Sequence, residues 1–457
     1  MTRPAYIRPT LVRHRSGLMN KMGAGPAVRA QGDVAGADVE ELVEAYGSPV
    51  FIYDEARIRD TWRELHDALV RRYPKVALAW SYKTCYLDAI CRIYHQEGAL
   101  AEVVSGMEFR KARRNGIAVQ DIVYNGPHKD AETLTEALVG GARVHIDHFD
   151  ELAQCERIAR EQDVQPSVAL RLNIHTSTQP RWDRFGFNLD TGQAWDAVRR
   201  LMAGGVLKLT GLHFHLGTFI LDARAYAEAT CKLVAFANRL RSELGIVLDT
   251  IDLGGGFASR NRLRSQYLPS EQVTPSLSQY AEKIVDALSG LSYRPDELPT
   301  LILETGRALI DEAGTLVSTV VANKRLADGR RAIVIDAGVN VLFTAYWYQH
   351  RLTPTKEPMG APEPTMVYGP MCMNIDVVGN NLMMPPISAG ERLLVSPVGA
   401  YNVTQSMQFI ELRPAVCIVR PDGSHHLIRR REVLEDLTGP ELVPDWLESS
   451  AGSGRTA

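Results

Sequence analysis

A few side chains placed at the ends of apolar runs carry most of the chemistry this sequence offers. Lys83 follows Val76 to Tyr82, an almost wholly apolar stretch, so its stem should be buried and its amine partly desolvated, which favours the neutral, nucleophilic form. His213 and His215 stand two apart on one face of a strand. No third ligand follows at a metal-binding spacing, so an imidazole capping a flat ring is the better reading, and zinc is not expected. Asp252-Leu253-Gly254-Gly255-Gly256 ends another run, with glycines that serve a tight turn or leave backbone N–H groups open to a phosphate. Leu301-Ile302-Leu303-Glu304 delivers a carboxylate that is costly to bury without a cation, either Arg307 nearby or a ligand. An amine, a stacking ring, a phosphate cradle and an anion are together what pyridoxal 5′-phosphate (PLP) needs for its aldehyde, ring, phosphate and protonated ring nitrogen.

These groups can cooperate only if one fold gathers the strand ends. Eight short apolar runs, suited to strands covered on both faces, occur at Val76–Tyr82, Leu100–Val104, Asp121–Tyr124, Arg143–Ile146, Val168–Ile174, Leu209–Phe214, Thr250–Leu253 and Leu301–Leu303. Segments with helical spacing separate them, and another precedes them from Glu55, with Ile58, Trp62, Leu65 and Leu69 three or four apart. This alternation predicts a (β/α)8 TIM-type barrel over 56–307, whose strand ends share one catalytic rim; an open doubly wound sheet is the alternative. After Arg307 the pattern turns to β-rich runs at Thr315–Val321, Arg331–Ile335, Arg392–Val398, Phe409–Val419 and His426–Arg429, which predicts an all-β domain over 308–437. Residues 1–38 read as an N-terminal extension, 39–55 as a first strand joining the β-domain, and 438–457 as a tail.

Composition narrows the class. With 51 Lys plus Arg against 54 Asp plus Glu, the net charge of −3 gives no general reason to bind nucleic acid or an anionic membrane. The six cysteines show neither a CxxC pair nor zinc-ligand spacing, and no run of about 18 apolar residues occurs, so a cytoplasmic protein is expected.

The motifs Tyr82-Lys83-Thr84, Val103-Val104-Ser105-Gly106, His213-Phe214-His215-Leu216-Gly217-Thr218, Asp252-Leu253-Gly254-Gly255-Gly256, Glu304-Thr305-Gly306-Arg307, Gly369-Pro370-Met371-Cys372 and Gly399-Ala400-Tyr401 appear in this order. In this the chain resembles the fold-type III PLP decarboxylases, the group that includes diaminopimelate decarboxylase and eukaryotic-type ornithine decarboxylase. The resemblance spans about Tyr46 to Leu437 and implies a head-to-tail homodimer with shared active sites. It implies that Lys83 carries the cofactor, His215 stacks on its ring and Glu304 pairs with the ring nitrogen. Gly254, Gly255, Gly256 and Gly306 would hold the phosphate with Thr218 and Tyr401. Cys372 would reach the partner's site as the acid that protonates the α-carbon, while Arg307, Tyr348, Met373 and Tyr401 would line the substrate. A carboxylate at 304 favours decarboxylation over racemisation, because a protonated ring is the deeper electron sink and related racemases place an arginine there.

Three positions depart from the diaminopimelate pattern: Met373 and Asn374 replace Glu and Ser, and Thr344 replaces an arginine that grips the distal carboxylate. Losing one charge-assisted contact costs about 2–5 kcal/mol. The expectation is therefore PLP-dependent decarboxylation of a modified or conjugated amino acid, as in siderophore- or antibiotic-type pathways. The alternatives are meso-diaminopimelate decarboxylation in lysine biosynthesis and a non-catalytic PLP-binding homologue; Lys83 and Cys372 speak against the last.

Overall fold

The computed structural model describes residues 29–180, 182–264 and 266–448. Most of the expected extension, residues 1–28, lies outside the described residues, as do residues 449–457 of the tail. From Asp33 a minimal hairpin pairs Asp33–Val34 with Ala37–Asp38. Helix Val39–Tyr46 follows, its first N–H groups capped by the Asp38 carboxylate. Strand β1 (Val50–Asp54) then leads into helix Glu55–Val70, which buries Ile58, Trp62, Leu65 and Leu69, the stripe read from the sequence.

The eight runs form the strands of a closed parallel barrel: β2 (Val76–Ser81), β3 (Leu100–Val103), β4 (Ile122–Tyr124), β5 (Arg143–Ile146), β6 (Ser167–Asn173), β7 (Lys208–Phe214), β8 (Thr250–Asp252) and β9 (Thr300–Leu303). Each pairs in parallel with the next, and β9 closes on β2 with Leu301 beside Val76. The outward faces pack under the helices into the main core. Inside, the period of two divides the lumen by level. A small apolar plug of Ala79, Val123 and Ile302, with Ala77 and Leu100 against it, fills the lower part. One step further along the same strands come Ser81, Asn125 and Glu304.

Beyond the barrel lie β10 (Gly314–Arg325), β11 (Arg331–Ile335), β12 (Arg351–Pro354), β13 (Glu363–Tyr368), β14 (Val377–Met384), β15 (Arg392–Ser396), β16 (Ala415–Val419) and β17 (His425–Arg429). Strand β1 sits between β10 and β16, with Phe51 opposite Leu316 on one side and Val416 on the other. Strands β12, β13 and β14 were not expected from the sequence. Their Pro354, Pro364, Gly379 and Asn380 read as turn signals, yet pairing with β15, β11 and β13 respectively makes them strands.

Candidate active site

The mouth of the barrel holds a connected polar layer. Lys83 lies in the short turn Tyr82–Thr84 that ends β2, and its Nζ donates to Glu102 Oε2 at 2.6 Å. The Ser81 hydroxyl donates to the same oxygen at 2.6 Å. Asn125 bridges the two acids: its Nδ2 donates to Glu102 Oε1 at 3.1 Å and to Glu304 Oε1 at 2.5 Å, while its Oδ1 meets His145 Nδ1 at 2.7 Å. His213 Nε2 lies 3.4 Å from Glu304 Oε2, and the His145 and His213 rings stack with centroids 4.5 Å apart. Arg171 Nη1 is 3.4 Å from Asp147 Oδ1. Glu304 thus faces imidazoles and an amide, and Arg307 lies instead 3.8 Å from Asp311 Oδ2.

The charge states differ from the expectation at one group. Burial pushes the Lys83 amine toward the neutral form, but Glu102, then Tyr401 and Glu304, outweigh it and hold its pKa above the ordinary lysine range. The neutral lysine expected from desolvation is therefore corrected: an anion sits in contact with the amine. At Glu304 burial raises the pKa, yet His213, His145 and Lys83 bring it well below the usual carboxylate range. Burial and then the Glu304 charge push Asp252 well above that range. Burial lowers the pKa of His145, His213 and His215, against the pull of Glu304. His215 Nδ1 accepts from the Gly255 N–H at 2.9 Å, which places its proton on Nε2.

The glycine turn is more tightly built than a phosphate cradle requires. The Gly254 N–H donates to Asp252 Oδ1 at 2.8 Å and that of Gly255 to His215, so neither is open to a ligand. A Cβ at Gly254 would lie 2.6 Å from the Phe214 carbonyl, one at Gly255 would strike the Glu304 carbonyl, and one at Gly256 the Gly217 carbonyl. These glycines let the ends of β7, β8 and β9 touch. Gly306 packs on Thr84 beside Lys83, and Thr218 lies exposed in the loop after β7.

At the rim, the Arg307 guanidinium lies 4.6 Å from the centre of the Tyr401 ring and 5.1 Å from that of Tyr348. Its Nε and Nη1 are buried without an acceptor among the described residues, which suits an anion. Tyr401 adopts a left-handed φ of 65° and donates its N–H to the Thr84 carbonyl at 2.9 Å, tying the β-domain to the Lys83 turn. Cys372 and half-buried Met373 lie in an exposed loop that Asp376 pins through the N–H groups of Met371 (2.7 Å) and Val339 (2.8 Å). Thr344 is sealed in the β-domain by Asn402 (2.8 Å) and His350 (3.0 Å).

Sequence reasoning missed Glu102, Asn125, His145, Arg171, Asp252 and Trp182, whose ring lies 5.6 Å from that of His215. The alternation applied to His213 and His215 would have found the strand residues had it been applied to every strand. Ligand atoms of His145, His213 and Glu304 all lie within 4.8 Å of one another, a grouping that three separate strands bring together.

A cationic amine, a buried carboxylate and its flanking imidazoles, on the rim of a (β/α)8 barrel beside a guanidinium with N–H groups to spare, fit a PLP-dependent enzyme of the barrel class. Comparison with known proteins makes this specific. Residues 55–311 match the family described as pyridoxal-dependent decarboxylase, pyridoxal binding domain. The chain is 30% identical over 421 residues to a diaminopimelate decarboxylase of Methanothermobacter thermautotrophicus, covering 90% of this chain and 95% of that one. It is 28% identical over 426 residues to that of Bacillus subtilis, with the same coverage. The crystal structure of M. jannaschii diaminopimelate decarboxylase with L-lysine superposes with a TM-score of 0.82 at 27% identity, over 92% of this chain and 99% of that one. The chain belongs to the pyridoxal-dependent decarboxylases, and is a PLP-dependent carboxy-lyase acting on an amino acid.

Proposed function

We propose that the chain removes the α-carboxylate of a diaminopimelate-type amino acid. The relatives named as diaminopimelate decarboxylases over about nine-tenths of the chain favour this reading over the specialised-pathway expectation. The observation that carries the chemistry is Glu304, a buried carboxylate held ionised and facing the lumen across from Lys83. When bound, PLP supplies an electron sink for the pair of electrons left as CO2 departs. Lys83 would anchor that group, and Glu102 is the partner of its amine in this structure. Glu304 would keep the ring nitrogen protonated, His215, its tautomer fixed by Gly255, would cover the ring, and the Arg307 guanidinium would bind an anionic end of the substrate.

Protonation of the α-carbon is assigned to Cys372 of a second protomer in a head-to-tail homodimer; its exposed position on the β-domain supports this. A cytoplasmic setting suits six cysteines without a disulfide, and no helix among the described residues is long and apolar enough to cross a membrane.

A second reading keeps the reaction and changes the substrate. Thr344, at the place of a carboxylate-gripping arginine, is sealed inside the β-domain, and Met373 brings no charge to the Cys372 loop, which favours a modified or conjugated amino acid. CO2 release from meso-diaminopimelate beside a panel of conjugates separates the two. A kcat/KM above about 10⁴ M⁻¹s⁻¹ for meso-diaminopimelate supports the first reading, and turnover confined to conjugates supports the second.

A further inference from the structure

Asp252 is 1% exposed at the end of β8, one level with His213 of β7 in the strand register. Its Oδ1 accepts the Gly254 N–H at 2.8 Å, and the Gly254 carbonyl accepts the Glu304 N–H at 2.8 Å, so a single turn joins both acids. Its Oδ2 has no hydrogen-bond donor among the described residues, and His145 Nε2 is 4.0 Å away. The titratable groups around it are Glu304 after β9, His213 on β7, His145 on β5, Arg171 on β6 and Glu102 on β3. An ionised carboxylate oxygen without a donor is costly in a barrel interior, and two adjacent carboxylates do not both ionise readily. A proton on Oδ2 relieves both penalties and creates a donor directed at Glu304.

We propose that Asp252 is a positioning residue for the decarboxylation: as a neutral carboxyl it ties the glycine turn to Glu304 and leaves Glu304 as the lone anion of the pair. The proposal rests on the assignment of Glu304 to the ring nitrogen. Burial and the Glu304 charge push the Asp252 pKa in the direction the geometry requires. The glycine turn then couples phosphate-side packing to ring-nitrogen charge: Asp252 holds its first residue, and His215 its second.

The test is Asp252→Asn, which keeps the acceptor for Gly254 and replaces O–H by N–H. Its kcat/KM is expected within about threefold of wild type, whereas Asp252→Ala should lose about 30-fold or more. Melting temperature gives an independent readout. A carboxyl whose folded pKa is raised contributes stability that is lost as pH rises, so the Asn variant should gain on wild type steadily from about pH 5 to about pH 8. An Asn variant that loses about 30-fold, or whose melting offset from wild type is flat with pH, overturns the proposal. If the Ala variant fails to fold, the Asn variant decides alone. Glu304→Gln separates the two layers: unchanged kcat there removes the ring-nitrogen assignment, while the pH slope of the Asn variant still reports the Asp252 proton.

Discussion

Lys83 and Lys129 both follow barrel strands, and their surroundings separate them. Lys129 is buried, its Nζ bound to the Gly126 and His145 carbonyls (2.9 and 3.0 Å) and to Glu151 (2.5 Å), so its amine is fully committed to structure. The Lys83 side chain is 33% accessible and pairs with Glu102, which makes it the available amine. The placement of Lys83 and Glu304 at the mouth of the barrel was legible in the sequence because a charge ending an apolar strand has few places to go; the Lys83 charge state was not, because Glu102 lies on a different strand. Glu304→Gln should lower kcat about 100-fold or more while visible cofactor absorbance persists on Lys83. Glu304 has a lowered folded pKa, so its stabilisation is present above the ordinary value of about 4.3 and lost as pH falls through the folded value. The melting deficit of Glu304→Gln should therefore be greatest near neutral pH and shrink in acid. Arg307→Ala should raise KM about tenfold or more for a substrate with a distal carboxylate, with a smaller change in kcat, as measured by steady-state kinetics.

At the level of elements, the glycine turn does more packing than the sequence discloses. A Cβ at Gly255 meets the backbone of Glu304, which cannot swing aside as a side-chain end would. Gly255→Ala should therefore cost about 1–3 kcal/mol in chemical denaturation and weaken cofactor retention together, since it moves Glu304. The barrel strands were legible because strands covered on both faces read as continuous apolar runs. The lumen layer was less so: Glu102, His145 and Arg171 are single, buried polar residues inside such runs, and only closure of the barrel brings them together. In the β-domain, β12 to β14 carry turn-type residues and owe their strand conformation to pairing that no local pattern announces.

For the whole molecule, β1 and the Tyr401 segment link barrel and β-domain from opposite ends of the chain. Phe51 packs in register between β10 and β16, and the Tyr401 N–H holds the Thr84 carbonyl. A shared site in a homodimer predicts complementation: mixed Lys83→Ala and Cys372→Ala proteins should regain about a quarter of wild-type CO2 release after subunit exchange, since half the dimers would carry one intact site. The near-zero net charge said little about the substrate, since a few groups at one rim hardly change the balance of 51 basic against 54 acidic residues. The central claim, that Lys83 on this rim holds the working cofactor, is tested most directly by borohydride reduction of the purified protein with PLP followed by peptide mapping. The cofactor mass should appear on the peptide bearing Lys83 and decarboxylation should cease with it; a label on Lys129 or another lysine, or none at all, would contradict the account.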